Sequence, residues 1–167
     1  MTPVHEVHRI AGFDMGRQYI AWSTLIPTNM GGWEVERHGI LYPPLMGNTE
    51  YFGSSLDLFK NFFQHFLTHD LDVAAYASER FIKMMGSAGS AAEDVNLLLG
   101  QMTGPNQHMV RNVDWKRWFK AKVHPDGAPA FFATPTEHEA DAAGIGLYLG
   151  AVLLPRRKKT HALQQGR

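Results

Sequence analysis

H-R-I-A-G-F-D-M-G-R-Q-Y-I-A-W-S-T-L, residues 8 to 25, reads as two strands joined by a tight turn. His8 to Asp14 forms the first strand, Met15, Gly16, Arg17 and Gln18 the turn, and Tyr19 to Leu25 the second strand, where Ile20 and Trp22 alternate with Ala21 and Ser23. Pro27 to Gly32 is a loop, after which Trp33 to Tyr42 alternates Trp33, Val35 and Arg37 with Glu34 and Glu36. The spacing predicts a three-stranded antiparallel meander.

Outward from the meander the pattern changes period. Past the turn residues Pro43, Pro44 and Gly47, Ser55 to Thr68 sets Leu56, Phe59, Phe62, Phe63, Phe66 and Leu67 at helical spacing, a stripe that reads as core. Leu71 to Ser78 is an apolar run without alternation, as expected of a strand buried on both faces, and it ends at Glu79. Met85 to Gly89 is Gly-containing. Ser90 and Glu93 then offer a capping box ahead of Val95, Leu97, Leu98, Leu99 and Met102. His108 to Val110 reads as a short fifth strand, Asp114 as the cap of a helix through Lys122, and Pro125 to Pro135 as a loop. Thr136 and Glu139 form a further capping box that opens a helix through Leu149, which makes Glu139 structural. Small residues Ala140, Ala143 and Gly144 suit its close packing on a sheet. The expected fold is α/β: a mixed five-stranded sheet, three antiparallel strands followed by parallel ones, with helices on both faces.

At 167 residues the chain has the length of one domain, taken as 1–154, with a basic tail at 155–167. No apolar run of about 18 residues appears and Met1 to Ile10 lacks the pattern of a signal peptide, so a soluble cytoplasmic protein without membrane contact is expected. Without Cys there is no disulfide, thiol catalysis or thiolate zinc site, and any metal must be held by O and N ligands. The zero net charge hides an asymmetry: Arg156, Arg157, Lys158, Lys159 and Arg167 give the tail five positive charges and no acid, leaving eleven basic against sixteen acidic residues before it. Such a tail either follows a phosphate backbone or solubilises a terminus.

Three acids stand at the ends of predicted elements: Asp14 closes the first strand, Glu79 the fourth, and Asp141 lies in the first turn of the last long helix. His138 is i−3 and Glu137 i−4 from Asp141, so both share its helical face; Glu137 is left undecided between this site and solvent. If the first and fourth strands are neighbours, the acids meet at one end of the sheet. Buried carboxylates are costly unless paired or coordinated. Clustered oxygen ligands suit two divalent cations that cleave phosphodiesters.

The set G-F-D-M-G (Gly12 to Gly16), S-E-R-F (Ser78 to Phe81), L-L-G-Q-M-T-G (Leu98 to Gly104) and H-E-A-D-A-A-G-I-G (His138 to Gly146) resembles RuvC-type Holliday junction resolvases, of the RNase H-like nuclease superfamily, over roughly Ile10 to Ala151. The resemblance implies that Asp14 is shared by two Mg²⁺ (or Mn²⁺) ions per active site, that Glu79 binds one and Asp141 the other, and that His138 completes the site as ligand or proton-transfer group. It implies a homodimer, paired through about Ser90 to Gln101, that nicks four-way DNA junctions symmetrically; it is silent on a branch-migration motor.

There are departures from the family pattern. The stretch from Glu79 to Gly100 is longer than usual, with Phe81, Ile82 and Lys83 placed to meet the junction or to pack in the core. The usual Gly- and Lys-containing segment after the fifth strand is replaced by D-W-K-R-W-F-K-A-K, where Trp115, Lys116, Arg117, Trp118, Lys120 and Lys122 interleave aromatics with cations, and Trp118 and Phe119 read equally as core anchors; Trp115, Lys116, Arg117, Lys120 and Lys122, with Phe81, Ile82, Lys83, Arg156 and Arg157, are the candidate DNA contacts. Three alternatives stay open: an RNase H-like nuclease on another branched or hybrid substrate, a non-catalytic junction binder, and an actin-like or sugar-kinase-like ATPase. The last is suggested by G-F-D-M-G, but the chain is short for two lobes and has no second Gly-rich phosphate loop.

Overall fold

Strand β1 (Ile10–Met15) is buried along its whole length, so its alternation sorts residues between two cores rather than between core and solvent. Ala11, Phe13 and Met15 enter one apolar cluster and Ile10 the other. The computed structural model describes residues 9–16, 19–42, 61–80 and 106–154. Phe81, Ile82, Lys83, the expected helix from Ser90 to Gln101, and Arg156 and Arg157 lie outside the described residues.

The meander forms as its alternation predicts. β2 (Ile20–Pro27) pairs antiparallel with β1 and with β3 (Trp33–Leu41), and β4 (Ala75–Arg80) pairs parallel with β1 and with β5 (Gln107–Arg111). The five-stranded sheet has the order β3-β2-β1-β4-β5. The first and fourth strands are therefore neighbours, and the register that sets Phe13 opposite Ser78 brings Asp14 level with Glu79.

Helical residues 61–65 run into a π-helical turn, Phe66–Leu71, whose Phe66, Leu67 and Leu71 pack with Phe63 on the face carrying Phe13 and Tyr76. The expected strand start at Leu71 is wrong. Leu71 closes the helical turn, Asp72 reverses the chain in the left-handed region at φ 49°, and pairing begins only at Ala75. An apolar run without alternation serves a buried helix end as well as a buried strand. Two arginines finish that end: Arg9 donates to the carbonyl of Leu71 (3.4 Å) and Arg37 to that of Asp70 (3.3 Å).

The opposite face is covered by α1 (Asn112–Lys122), α2 (Ala128–Phe131) and α3 (Glu137–Tyr148), the last continuing into a π-helical turn, Leu149–Leu153. Asp114 does not cap α1. The N-cap is Arg111, and Asp114 lies inside the first turn, taking both arms of the Arg111 guanidinium at 2.7 and 2.8 Å. The segment read as a Gly/Pro loop contains α2, with Pro near its N-terminus, where a missing N–H costs nothing, and Gly127 before it at φ 90°. Among the described residues no helix is long and apolar enough to cross a membrane.

Candidate active site

Helix α3 is fixed at its start by polar contacts and along its length by small residues. Thr136 Oγ1 accepts the N–H of Glu139 at 3.2 Å and donates to Glu139 Oε2 at 2.8 Å, so the expected capping pair forms, with the hydroxyl rather than the Thr136 N–H meeting the carboxylate. Glu139 Oε1 lies 2.8 Å from His38 Nδ1 on β3. Burial, the largest influence, pushes the Glu139 carboxyl up, but the bonds from His38 and Thr136 outweigh it and hold the group below its ordinary range. Glu139 is structural, as its spacing predicted.

Below the cap, α3 lies almost on the backbone of β1. A Cβ on Gly12 would sit 2.0 Å from the carbonyl oxygen of Ala142 and 2.4 Å from the amide nitrogen of Gly146. Ala140 and Ala143 are buried, and Gly144 faces the Trp115 ring, as expected of the small residues. Gly12 and Gly146 complete the close approach. It carries the first turn of α3 to the end of β1 and β4, on the sheet face that bears Ile10, Ala75 and Ala77.

Asp14, Glu79, His138 and Asp141 share that end of the sheet, each with its own neighbours. Asp14 Oδ2 lies 2.8 Å from His138 Nδ1. Its carboxyl is pushed up to about 6, first by burial and then by the charges of Asp141 and Glu79, against the lowering effect of His138. Glu79 is buried and uses both oxygens: Asn112 Nδ2 donates to Oε1 at 2.7 Å and Trp115 Nε1 to Oε2 at 2.9 Å. Asp141 is paired with Lys116 Nζ at 3.0 Å. With those pairings, no three His, Asp or Glu side chains among the described residues stand as a cluster able to hold a metal ion. Glu137 is exposed, beside Asp141, Lys116 and Lys120 on the wall of a cleft between α1 and α3.

Among the candidate DNA contacts, Trp115 needs correction. It is 1% exposed, its ring packed in the core and its indole N–H bound to Glu79, so it cannot stack on a base. Trp118 packs against Tyr148 and Phe119. Arg117, Lys120 and Lys122 are exposed, and Lys116 pairs with Asp141.

Two residues at the site escaped the sequence reading. Asn112 opens α1 directly after β5, and Tyr19 precedes β2; the Tyr19 hydroxyl lies 3.0 Å from His138 Nδ1. The signal for Tyr19 was the tight turn itself. A hairpin pairing Asp14 with Ala21 and Met15 with Ile20 must return residue 19 beside the end of β1. Burial, then the charges of Asp14, Asp141 and Glu79, raises the Tyr19 hydroxyl well above the ordinary phenol range, which keeps it protonated.

Neither a protein-family model nor a curated protein matches the chain by sequence. Solved structures do match by shape. The chain superimposes on RuvC from Thermus thermophilus with a TM-score of 0.60 at 14% identity, over 83% of this chain and 91% of that one. It superimposes on the yeast mitochondrial Holliday junction resolvase Ydc2 with a TM-score of 0.64 at 10% identity, over 89% and 82%. The chain has the RuvC-type resolvase fold. At these identities the likeness is one of architecture, and it agrees with the mixed RNase H-like sheet read from strand order. Within this RuvC-type fold, Asp14 and Glu79 stand on adjacent central strands and Asp141 on the helix that crosses them.

Proposed function

We propose that the protein is a divalent-metal-dependent endodeoxyribonuclease that resolves four-way DNA junctions. The observation carrying this reading is the arrival of Asp14, Glu79 and Asp141 at one end of β1, β4 and α3, together with the charge Asp14 feels from the other two acids. RuvC from T. thermophilus, which has this fold, has been solved with a Holliday junction substrate; that structure matches this chain with a TM-score of 0.58.

The donor set suits hard cations: three carboxylates, one imidazole and no thiol. Asp14, Glu79, Asp141 and His138 would hold two Mg²⁺ or Mn²⁺ ions, whose charge would offset what raises the Asp14 carboxyl, burial first and then the charges of Asp141 and Glu79. Bound there, the ions would activate water and stabilise the leaving oxygen of a phosphodiester. The protein's own residues do the rest. Lys116 offers a positive charge at Asp141, where a DNA phosphate would arrive, and exposed Arg117, Lys120 and Lys122 extend a basic helix face along the backbone. Asn112 and Trp115 orient Glu79 through its two oxygens. Paired symmetric nicks need two such sites, hence a homodimer.

The test is the cleavage of a synthetic four-way junction beside a linear duplex of the same sequence, in Mg²⁺, Mn²⁺, Ca²⁺ and EDTA. The reading expects junction-selective nicks in Mg²⁺ or Mn²⁺ only. Equal cutting of both substrates would point to a different RNase H-like nuclease, and magnesium-dependent ATP hydrolysis without DNA cutting to the kinase-like class.

A further inference from the structure

Tyr19 stands at the active site without a role in the chemistry above. Its hydroxyl is 3.0 Å from His138 Nδ1, its ring lies against the imidazole with centroids 4.3 Å apart and planes 35° from each other, and Asp14 Oδ2 is 2.8 Å from the same nitrogen. Among the described residues both hydrogen-bond contacts of the imidazole therefore fall on Nδ1. The slot for the phenol ring is built by the turn: the Gly16 N–H donates to the Tyr19 carbonyl at 3.1 Å, and a Cβ on Gly16 would fall 2.0 Å from Tyr19 Cε1. Any residue but glycine would push the ring away from His138.

A ring nitrogen offers one hydrogen or one lone pair, so Asp14 and Tyr19 must share it. Ionised Asp14 only accepts. The hydrogen is then on Nδ1, the phenol oxygen is its second acceptor, and the lone pair of the neutral ring is at Nε2. His138 itself is half exposed on the first turn of a helix, where one hydrogen bond leaves a ring free to rotate. If Asp14 turns an oxygen to a cation, the phenol is the partner that remains.

We propose that Tyr19 is the positioning residue of His138, holding the imidazole through ring contact and hydroxyl so that Nδ1 faces the protein and Nε2 is the nitrogen left to meet a cation or the reacting phosphate. This rests on the nuclease reading, and goes beyond it by assigning the nitrogen left outward and the residue that holds the ring in that orientation.

The test uses the full chain and Tyr19→Phe, which keeps a ring in the Gly16 slot and removes only the hydroxyl. Imidazole ¹⁵N spectra of metal-free Asp14→Ala should show Nδ1 of His138 shifted by its hydrogen bond with the Tyr19 hydroxyl, and adding Tyr19→Phe should remove that shift. Unchanged nitrogen shifts on adding Tyr19→Phe would overturn the proposal. In single-turnover junction cleavage, Tyr19→Phe should slow the chemical step about tenfold with unchanged junction affinity, the scale of losing a residue that orients an active-site histidine. In a His138→Ala background the same change should cost nothing. An equal loss in both backgrounds would also overturn it. The nitrogen spectra do not require cleavage, so a wild-type protein inactive on junctions counts against the nuclease reading alone.

Discussion

Asp14 is a carboxyl whose folded environment opposes its ionisation, since burial and two neighbouring acids raise it from 3.8 to about 6. A raised carboxyl binds its proton more tightly in the folded than in the unfolded chain. Stability should therefore fall as pH rises from about 4 to 6, by roughly 3 kcal/mol for a shift of this size. Thermal melts across pH 4 to 8 should show Asp14→Asn more stable than wild type above pH 6 and equal to it near pH 4; a constant difference across that range would contradict the assigned environment. Mg²⁺ or Mn²⁺ should raise the melting temperature of wild type at pH 7.5 and leave Asp14→Asn unmoved. Glu79 has each of its two oxygens met by an N–H donor. Trp115→Phe strips one donor from a buried carboxylate and leaves space where the larger indole packed, so unfolding by denaturant should detect a loss of more than about 2 kcal/mol, the range for an unsatisfied buried group alone.

Helix α3 connects the fold to the site, and its support is of two kinds. Thr136→Ala removes the cap and should cost about 1 kcal/mol. Gly12→Ala forces a methyl against the backbone of Ala142 and Gly146 and should cost 3 kcal/mol or more, ~3 being the upper range for overpacking a rigid interior. Both are read by chemical denaturation. Gly12→Ala should also lower activity beyond its effect on folded fraction, because it lifts Asp141 off the sheet. Much of this was legible beforehand: the period-two pattern from Ile20 to Leu41 gave the meander, and the Thr136 to Glu139 spacing gave the helix start. Less legible were elements whose apolar residues are buried all round. Leu71 to Ala74 carried no period to separate a helix end from a strand. In D-W-K-R-W-F-K the alternation of aromatics and cations hid a helical division, with Trp115 and Phe119 four apart and buried while Lys116 and Lys120, also four apart, line the cleft wall beside them. Asn112 and Tyr19 were invisible because their partners, Glu79 and His138, are 33 and 119 residues away, a separation that only sheet topology closes.

At the scale of the molecule, strand order does the decisive work. Placing β1 beside β4 at the centre of the sheet makes two acids, 65 residues apart in sequence, neighbours at one end of it. The five cations after Pro155 counter the acidic body, and deleting residues 156–167 should weaken junction binding and flatten its dependence on salt, measured as the slope of log affinity against log salt concentration. An unchanged slope would return the tail to a solubilising role. The central claim, that the acids at this end of the sheet cut branched DNA, is tested most directly by incubating wild type and Asp14→Asn with a labelled four-way junction in Mg²⁺ and following binding and nicking in parallel. The account predicts that both bind and only wild type leaves paired nicks at symmetric positions. Equal nicking by Asp14→Asn, or no nicking by a wild-type protein that binds the junction, would contradict it.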